Sequence, residues 1–293
     1  MRLRVTHVTR YQYTDPVSLC HSLARLKPRD TERQRTLTAQ VRVDPWPAVA
    51  REHIDFFGNR VNYFSIQQSH SSLEVTAQSE VEIRAPTWPD PVITPPWEEV
   101  VRALKHGRDT RLIDARLFTL ASNQVPLSSE ANSFAAPSFR PGRPILEAAL
   151  DLMGRLHRDF EYDPAFTTIT TPLDEVLAHR RGVCQDFAHV ALAALRGRGL
   201  AARYVSGYLE TRPPPGQAKL RGADASHAWF AVLIPGLGWV DLDPTNDQAA
   251  QEQYVTVAIG RDYQDVAPLR GVFYGGATHE LTVAVDVDRV GSG

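Results

Sequence analysis

The sequence predicts an α+β protein in which a small all-β, sandwich-like part precedes a helix packed on an antiparallel sheet. Residues 1–86 contain short runs of alternating apolar and polar residues, the period of half-buried strands. Residues 145–293 begin with apolar positions at helical spacing and return to strand-like runs. Between them, residues 87–144 combine prolines with short helical patterns. We therefore expect a β-rich domain, a Pro-punctuated linker with helices, and an α+β domain.

Size and composition narrow the class of protein. With 293 residues, 43% of them hydrophobic, the chain is long enough for a substantial core. The longest apolar stretch, residues 228–240, is interrupted by proline and glycine, so we expect no membrane span and no membrane partner. The N-terminus alternates and lacks the apolar core of a signal peptide, and only two cysteines occur. These features favour the reducing cytoplasm.

The charge pattern argues against nucleic acid as a partner. The formal net charge is -2, and the arginines near the N-terminus are scattered along strand-like sequence. Nucleic-acid binders instead present a basic stripe with stacking aromatics. We interpret these charges as a solvated face.

The first part of the chain reads as strands joined by turns. One face of the first strand takes every second residue from Leu3 to Tyr13, and further short runs follow at 41–43, 62–66, 73–77 and 81–83. FFGNRV, residues 56–61, supplies a Gly-Asn turn between two of these runs. Five prolines between residues 86 and 96 then end the sheet, which places a boundary near residue 86.

Helical spacing dominates the middle of the chain. We predict helices at 97–104, 112–120, 145–160 and from 172 to about 180, where Gly182 would end the last of them. The next helix begins at Cys184 and stops at Gly197. Strands are then expected at the ranges 202–210, 227–234, 239–243 and 281–287.

Cys184 stands out by its position in the first turn of a helix. Unpaired backbone N–H groups and the positive end of the helix dipole favour a thiolate there, which is the state a nucleophile needs. Taken alone, a buried apolar cysteine is the more common explanation. His189 lies five residues on, about 140 degrees round the helix, so we expect it to pack or hydrogen-bond elsewhere.

His227 is the better candidate for a base, because it opens a strand whose hairpin partner ends in Asp243. A turn of three or five residues at 235–238 sets Asp243 opposite Trp229, which makes His227 and Asp243 diagonal neighbours on one face. A two-residue turn would put them on opposite faces. Thiolate, imidazole and carboxylate together are what acyl transfer by a cysteine nucleophile requires.

Five stretches of the chain resemble the bacterial transglutaminase-like family, whose members are often described as cysteine proteases. They are GVCQDFAHV, ARYVSGYL, ASHAWFAV, GWVDLDPTN and GRDYQDVAPLRGV. Residues 1–84, with HVTRYQYTDPV and DFFGNRV, resemble the N-terminal region that accompanies this family. The resemblance implies that residues 145–293 form a transglutaminase-like, papain-like catalytic domain with Cys184 as nucleophile, His227 as base and Asp243 as its orienting carboxylate.

Together these observations predict a thiol-dependent acyl-transfer enzyme acting on peptide or protein amide bonds. Water as acceptor gives a peptidase or amidase, which the family resemblance slightly favours. A primary amine as acceptor gives a cross-linking transglutaminase, and a non-catalytic partner-binding module is the alternative from another class. The sequence leaves the natural substrate and the oligomeric state open.

Candidate oxyanion donors surround the predicted nucleophile. The Cys184 backbone N–H is one, and the side chains of Gln185 and Trp229 are further candidates, although a surface position for Gln185 and a core position for Trp229 are the more common explanations. Asp186 is expected to cap the helix or to pair with Arg203.

No cofactor or metal is expected. Five residues of 241–252 match a calcium-loop pattern, namely Asp241, Asp243, Thr245, Asp247 and Glu252. However, Asn246 replaces the required glycine, and a strand precedes the segment where a helix should enter. Zinc is excluded as well, because no second cysteine or paired histidine has ligand spacing with Cys184.

Overall fold

The computed structural model describes residues 1–211 and 225–291 of the chain. In chain order its strands are β1 (Arg2–Ala24), β2 (Gln34–Asp44), β3 (Val49–Ile54), β4 (Arg60–Ile66), β5 (His70–Ile83), β6 (Glu161–Tyr162), β7 (Arg181–Gly182), β8 (Ala202–Leu209), β9 (Ala225–Ile234), β10 (Gly238–Asp243), β11 (Gln248–Ala249), β12 (Tyr254–Gly260), β13 (Leu269–Gly275) and β14 (His279–Arg289).

The helices fall mainly between the two groups of strands. They are α1 (Trp97–His106), α2 (Thr110–Ala115), α3 (Ser129–Ala135), α4 (Ile145–Asp159), α5 (Leu173–His179), α6 (Cys184–Arg196) and α7 (Tyr263–Val266), with 3-10 turns at Pro91–Ile93 and Arg116–Thr119. The α+β class is therefore confirmed. Sequence periodicity missed α3, β3, β12 and β13, which are short or lack a clean alternation.

The first sheet is a curled antiparallel sheet of seven strands built around the long strand β1. The first half of β1 pairs with β5 and β14, and its second half pairs with β4 and β13. The strand contributes alternate buried residues such as Leu3 and Val5 to the core. Gly58, at a φ of 78°, makes the turn between β3 and β4, as the FFGNRV motif predicts.

The last two strands lie elsewhere than we expected. We placed residues 281–287 in the domain 145–293, but β14 pairs with β1 from Leu3 to Tyr13 in the first sheet. The pairing buries Val285 and Val287 in the core that also contains Leu3 and Val5, and it covers an edge of β1 that would otherwise be exposed. The first sheet thus takes strands from both ends of the chain. The boundaries at residues 86 and 144 stay predictions.

The second sheet carries the candidate site. Its order is β11-β10-β9-β8-β12, and all neighbouring pairs are antiparallel. Helix α6 packs on β8 and β9 as predicted, and its side chains from Phe187 to Leu195 are buried. Among the described residues, none of the helices has the length and apolar character to cross a membrane.

Candidate active site

Cys184 is the first residue of α6, and the turn that carries it is fixed by Asp186. The Val183 N–H donates to Oδ2 of Asp186 at 2.8 Å, and the Thr167 hydroxyl donates to the same oxygen at 2.7 Å. Asp186 therefore caps the helix, which confirms one of its two expected roles; the expected pairing with Arg203 is wrong. The Cys184 side chain is half-buried, whereas Cys20 is 2% exposed.

Gly182 contributes space for that cap. A Cβ at this position would lie 2.7 Å from Oδ2 of Asp186, closer than real side chains allow. The preceding helix ends close to residue 180, as predicted, but the residue that ends it is Arg180, which adopts the left-handed conformation with a φ of 51°. Gly182 is thus required by the close approach of Asp186 and does not terminate α5.

His227 and Asp243 are brought together by the β9–β10 hairpin. The turn contains three residues, 235–237, and pairs Ile234 with Gly238. Continuing this register sets Asp243 opposite Trp229, which confirms the predicted geometry. Nε2 of His227 donates to Oδ2 of Asp243 at 2.7 Å. Both side chains are buried, Asp243 completely.

Asp243 is held by more donors than the sequence suggests. Oδ2 also accepts from the Tyr254 hydroxyl at 2.6 Å and from the Asn246 amide at 2.7 Å. Oδ1 accepts from the backbone N–H groups of Thr245 and Asn246. We had assigned no role to Tyr254 or to the Asn246 side chain. The only sequence signal is that Asn246 follows Asp243 by three residues, the spacing of a side chain that closes a turn.

His227 has one ring nitrogen left for Cys184. Nε2 is engaged by Asp243, with the Asn246 amide 3.4 Å away, so Nδ1 is the nitrogen available to the thiol. Cys184 lies close enough to His227 to contribute to the raised pKa of the imidazole. Sulfur, imidazole and carboxylate are therefore neighbours in one line, with a hydrogen bond between the imidazole and the carboxylate.

The charges of this line are set by competing effects. Burial on its own lowers the pKa of His227, but the hydrogen bonds to Asp243 and Cys184 outweigh it and raise the pKa to about 10. Burial on its own raises the pKa of the Asp243 carboxyl. The hydrogen bonds from His227, Asn246 and Tyr254 outweigh this effect and hold the pKa below its usual value. At neutral pH the site thus contains an imidazolium against a carboxylate.

The two predicted side-chain oxyanion donors are placed differently. The Trp229 indole N–H donates to Oδ1 of Asp241 at 3.3 Å, and its ring is fully buried against Tyr254. That bond argues against an oxyanion role for Trp229. Gln185 is half-buried in the first turn of α6, next to Cys184, and its role stays a prediction.

His189 packs and hydrogen-bonds, as predicted. Its ring lies against Tyr204, with centroids 5.1 Å apart, and Nε2 accepts from the Tyr263 N–H at 3.2 Å. Burial lowers the pKa of His189 to about 4, so the ring is neutral at pH 7.

The calcium-loop pattern does not produce a ligand cluster. Asp241 accepts a hydrogen bond from the Trp229 indole N–H and forms an ion pair with Arg33 at 3.2 Å. Asp243 accepts a hydrogen bond from His227. Over residues 1–211 and 225–291, no group of three or more His, Cys, Asp or Glu side chains could hold a metal ion.

Family models match both parts of the chain. A model described as the bacterial transglutaminase-like N-terminal region matches residues 3–82, and one described as the transglutaminase-like superfamily matches residues 132–244. The second range contains Cys184, His227 and Asp243.

Similar proteins span most of the chain. An uncharacterized protein of Mycobacterium tuberculosis is 43% identical over 98% of this chain and 92% of its own length. Another from Mycobacterium leprae is 34% identical over 99% of both chains. A protein-glutamine gamma-glutamyltransferase of Pseudomonas aeruginosa is 31% identical over a shorter region, 43% of this chain and 20% of that protein.

A solved structure supports the fold. The crystal structure of a candidate cysteine protease from Cytophaga hutchinsonii matches all of this chain and 92% of its own, with a TM-score of 0.78 and 20% sequence identity. At that identity the likeness supports the overall architecture alone.

Proposed function

Because the chain belongs to the transglutaminase-like superfamily, we propose that it is a thiol-dependent acyl-transfer enzyme acting on peptide or protein amide bonds. The observation that supports this proposal best is the grouping of three side chains, in which Cys184 lies beside His227 and His227 is hydrogen-bonded to Asp243 at 2.7 Å. We propose hydrolysis as the leading reaction, because bacterial proteins that resemble this chain are commonly described as proteases.

In the proposed first half-reaction, the thiolate of Cys184 attacks the amide carbonyl carbon. The oxyanion that forms accepts a hydrogen bond from the Cys184 backbone N–H at the start of α6. When the C–N bond breaks, imidazolium His227 gives its proton to the leaving nitrogen, so the products are a thioester and a neutral amine. Asp243 stabilises the imidazolium and fixes the ring orientation.

In the second half-reaction, an acceptor attacks the thioester. Neutral His227 takes the proton of the acceptor, and the C–S bond breaks to regenerate thiolate and imidazolium. Water yields a carboxylic acid, and a primary amine yields a new amide. Tyr254 and Asn246 act as positioning residues throughout, since both bind the carboxylate that holds His227.

The amine-transfer alternative has its own support. The matching Pseudomonas aeruginosa protein is named a protein-glutamine gamma-glutamyltransferase. That likeness covers less than half of this chain, so amine transfer to glutamine side chains ranks second. A non-catalytic partner-binding module is the third alternative and requires an unreactive Cys184.

One experiment separates these reactions. The protein is incubated with glutamine-containing peptides and a labelled primary amine, and the products are identified by mass spectrometry. Backbone cleavage or deamidation supports hydrolysis, whereas incorporation of the label supports transfer.

Cys184→Ala is the control variant, because it removes the sulfur and leaves the fold of α6 intact. All product formation should disappear with it. Equal product formation by wild type and Cys184→Ala would overturn the assignment of the nucleophile.

A further inference from the structure

A cavity of about 670 Å³ lies on the sheet face that carries His227 and Asp243. Trp239 and Asp243 both lie on β10 at even separation, so they share that face, and four residues of strand put them about 13 Å apart. The cavity is bounded by the turn before β4, by α2 with its 3-10 continuation, and by the second sheet. It is therefore separate from the cysteine.

The cavity has an aromatic lining. Phe118 lies edge-on to Trp239, with centroids 5.3 Å apart, and Phe57 follows at 6.0 Å from Phe118. Phe56 and Ile113 border the cavity and are 83% and 46% exposed, so they add apolar surface at its rim. An apolar ligand body would cover this surface.

The lining is held in place before any ligand arrives. Asn59 is fully buried, donates to the Ile259 carbonyl at 2.8 Å and accepts from the Ile259 N–H at 2.9 Å. These bonds fix the turn that carries Phe57 to β12. A preformed cavity binds without the entropic cost of ordering its walls.

Arg203 provides a charged group without a counterion of its own. Its guanidinium stacks on the Trp239 ring at 4.4 Å, and its Nε is buried with no hydrogen-bond partner among the described residues. The nearby carboxylate of Asp241 is already used by Arg33 and by the Trp229 indole. Burial lowers the pKa of Arg203 to about 10, with Asp241 opposing that shift, so the group remains a cation at pH 7.

A second arginine adds positive charge near Arg203. Arg29 lies close enough to Arg203 to repel it, and Nη1 of Arg29 donates to the Phe57 carbonyl and to Asn59. A planar guanidinium stacked on an aromatic ring still offers N–H groups at its edge, and these suit a carboxylate.

We propose that this cavity binds a carboxylate with an aromatic body, with the carboxylate on Arg203 and the body among Phe57, Phe118 and Trp239. Such a group occurs in a free aromatic acid and at the C-terminus of a peptide that ends in phenylalanine. The proposal concerns binding alone and does not depend on the reaction at Cys184.

The test uses calorimetric titration of the full-length protein with 3-phenylpropionate, 3-phenylpropionamide and the peptide Ala-Ala-Phe. The acid should bind, and the amide, which has the same body but no charge, should bind at least about tenfold more weakly. Tighter binding of Ala-Ala-Phe than of 3-phenylpropionate would identify a peptide C-terminus as the source of the carboxylate, and the reverse order would identify a free acid.

Two pairs of variants locate the site. Arg203→Met should weaken binding of the acid by at least about tenfold, whereas Arg10→Met, at an exposed arginine of β1 that pairs with Glu74 and lies outside the cavity lining, should leave it unchanged. Ile113→Glu should weaken binding of the acid, because the new carboxylate at the exposed rim repels the ligand carboxylate. Ile113→Gln, which adds no charge, should leave the binding unchanged. This second pair keeps the test valid if Arg203→Met does not fold. Equal affinity for acid and amide, or no binding of the acid at millimolar concentration, would overturn the proposal.

Discussion

The two cysteines differ in the properties that govern thiol reactivity. Cys184 is half-buried at a helix N-terminus and lies beside His227. Cys20 is 2% exposed, and burial raises the pKa of its thiol, with a bond to Ser22 opposing only part of that effect. Of the two thiols, Cys184 is therefore the one that a reagent can reach and that has an imidazole next to it.

We therefore predict selective alkylation of Cys184. At pH 7, iodoacetamide should modify Cys184 at least about tenfold faster than Cys20, as measured by peptide mass spectrometry over time. His227→Ala should slow the reaction, because it removes the partner of the sulfur, while Cys20→Ser should leave the rate unchanged. Equal rates for the two thiols would favour the non-catalytic module.

The raised pKa of His227 also predicts how stability depends on pH. The pKa is about 10 in the folded protein against 6.5 for an ordinary histidine, so the folded state holds the proton more tightly. The stabilisation is complete below about pH 6.5 and is lost as the pH rises through 10. The difference in unfolding free energy between wild type and Asp243→Asn should accordingly shrink between pH 6 and pH 10.

Glu210→Gln is the control for this measurement. Glu210 lies just after the end of β8 and forms an ion pair with Arg289, whose pKa it raises above its ordinary value. Its effect in urea unfolding should be flat from pH 6 to pH 10. If the effects of both substitutions on the unfolding free energy declined in parallel with rising pH, His227 would not be the cause of the pH dependence.

At the scale of elements, the junction between α5 and α6 sets the position of Cys184. Asp186 closes the first turn of α6 by accepting from Val183, and it can approach only because Gly182 has no side chain. The cap of α6 and the short strand β7 before it therefore form one structural unit. A side chain at residue 182 would push Asp186 away from the start of α6.

We predict that Gly182→Ala destabilises the protein by about 1–3 kcal/mol and slows alkylation of Cys184. The added Cβ would meet the Asp186 side chain at 2.7 Å. Gly154→Ala is the control, since it lies within helix α4 next to the flexible carboxylate of Asp247, and alanine favours a helix. Thermal unfolding and the alkylation rate check both effects, and an unchanged melting temperature for Gly182→Ala would contradict the argument.

At the scale of the whole molecule, the two sheets are tied together through buried polar contacts as well as apolar packing. Asn59 precedes β4 of the first sheet and bonds both backbone groups of Ile259 on β12 of the second. The final strands of the chain return to β1 and close the first sheet. We expect the described sheets to unfold together.

Asn59→Ala tests this connection. The variant leaves the buried N–H and carbonyl of Ile259 without partners, which should cost about 2–4 kcal/mol. Asn62→Ala, on β4 in the same sheet but only half-buried, should cost much less. Urea unfolding followed by tryptophan fluorescence and by circular dichroism should give one shared transition; two separate transitions in the wild type would show that the sheets unfold independently.

Local patterns in the sequence were enough for the α+β class, the start of α6 at Cys184, and the register that joins His227 to Asp243. Each of these follows from periodicity or from a three-residue turn, and both act between residues close in the chain. The ring of donors around Asp243, the return of β14 to β1 and the cavity beside Arg203 were decided only by the tertiary structure. Most of these features join residues from distant segments, such as Asn59 and Ile259 beside the cavity. Local sequence propensities do not indicate which distant groups come together when the core forms.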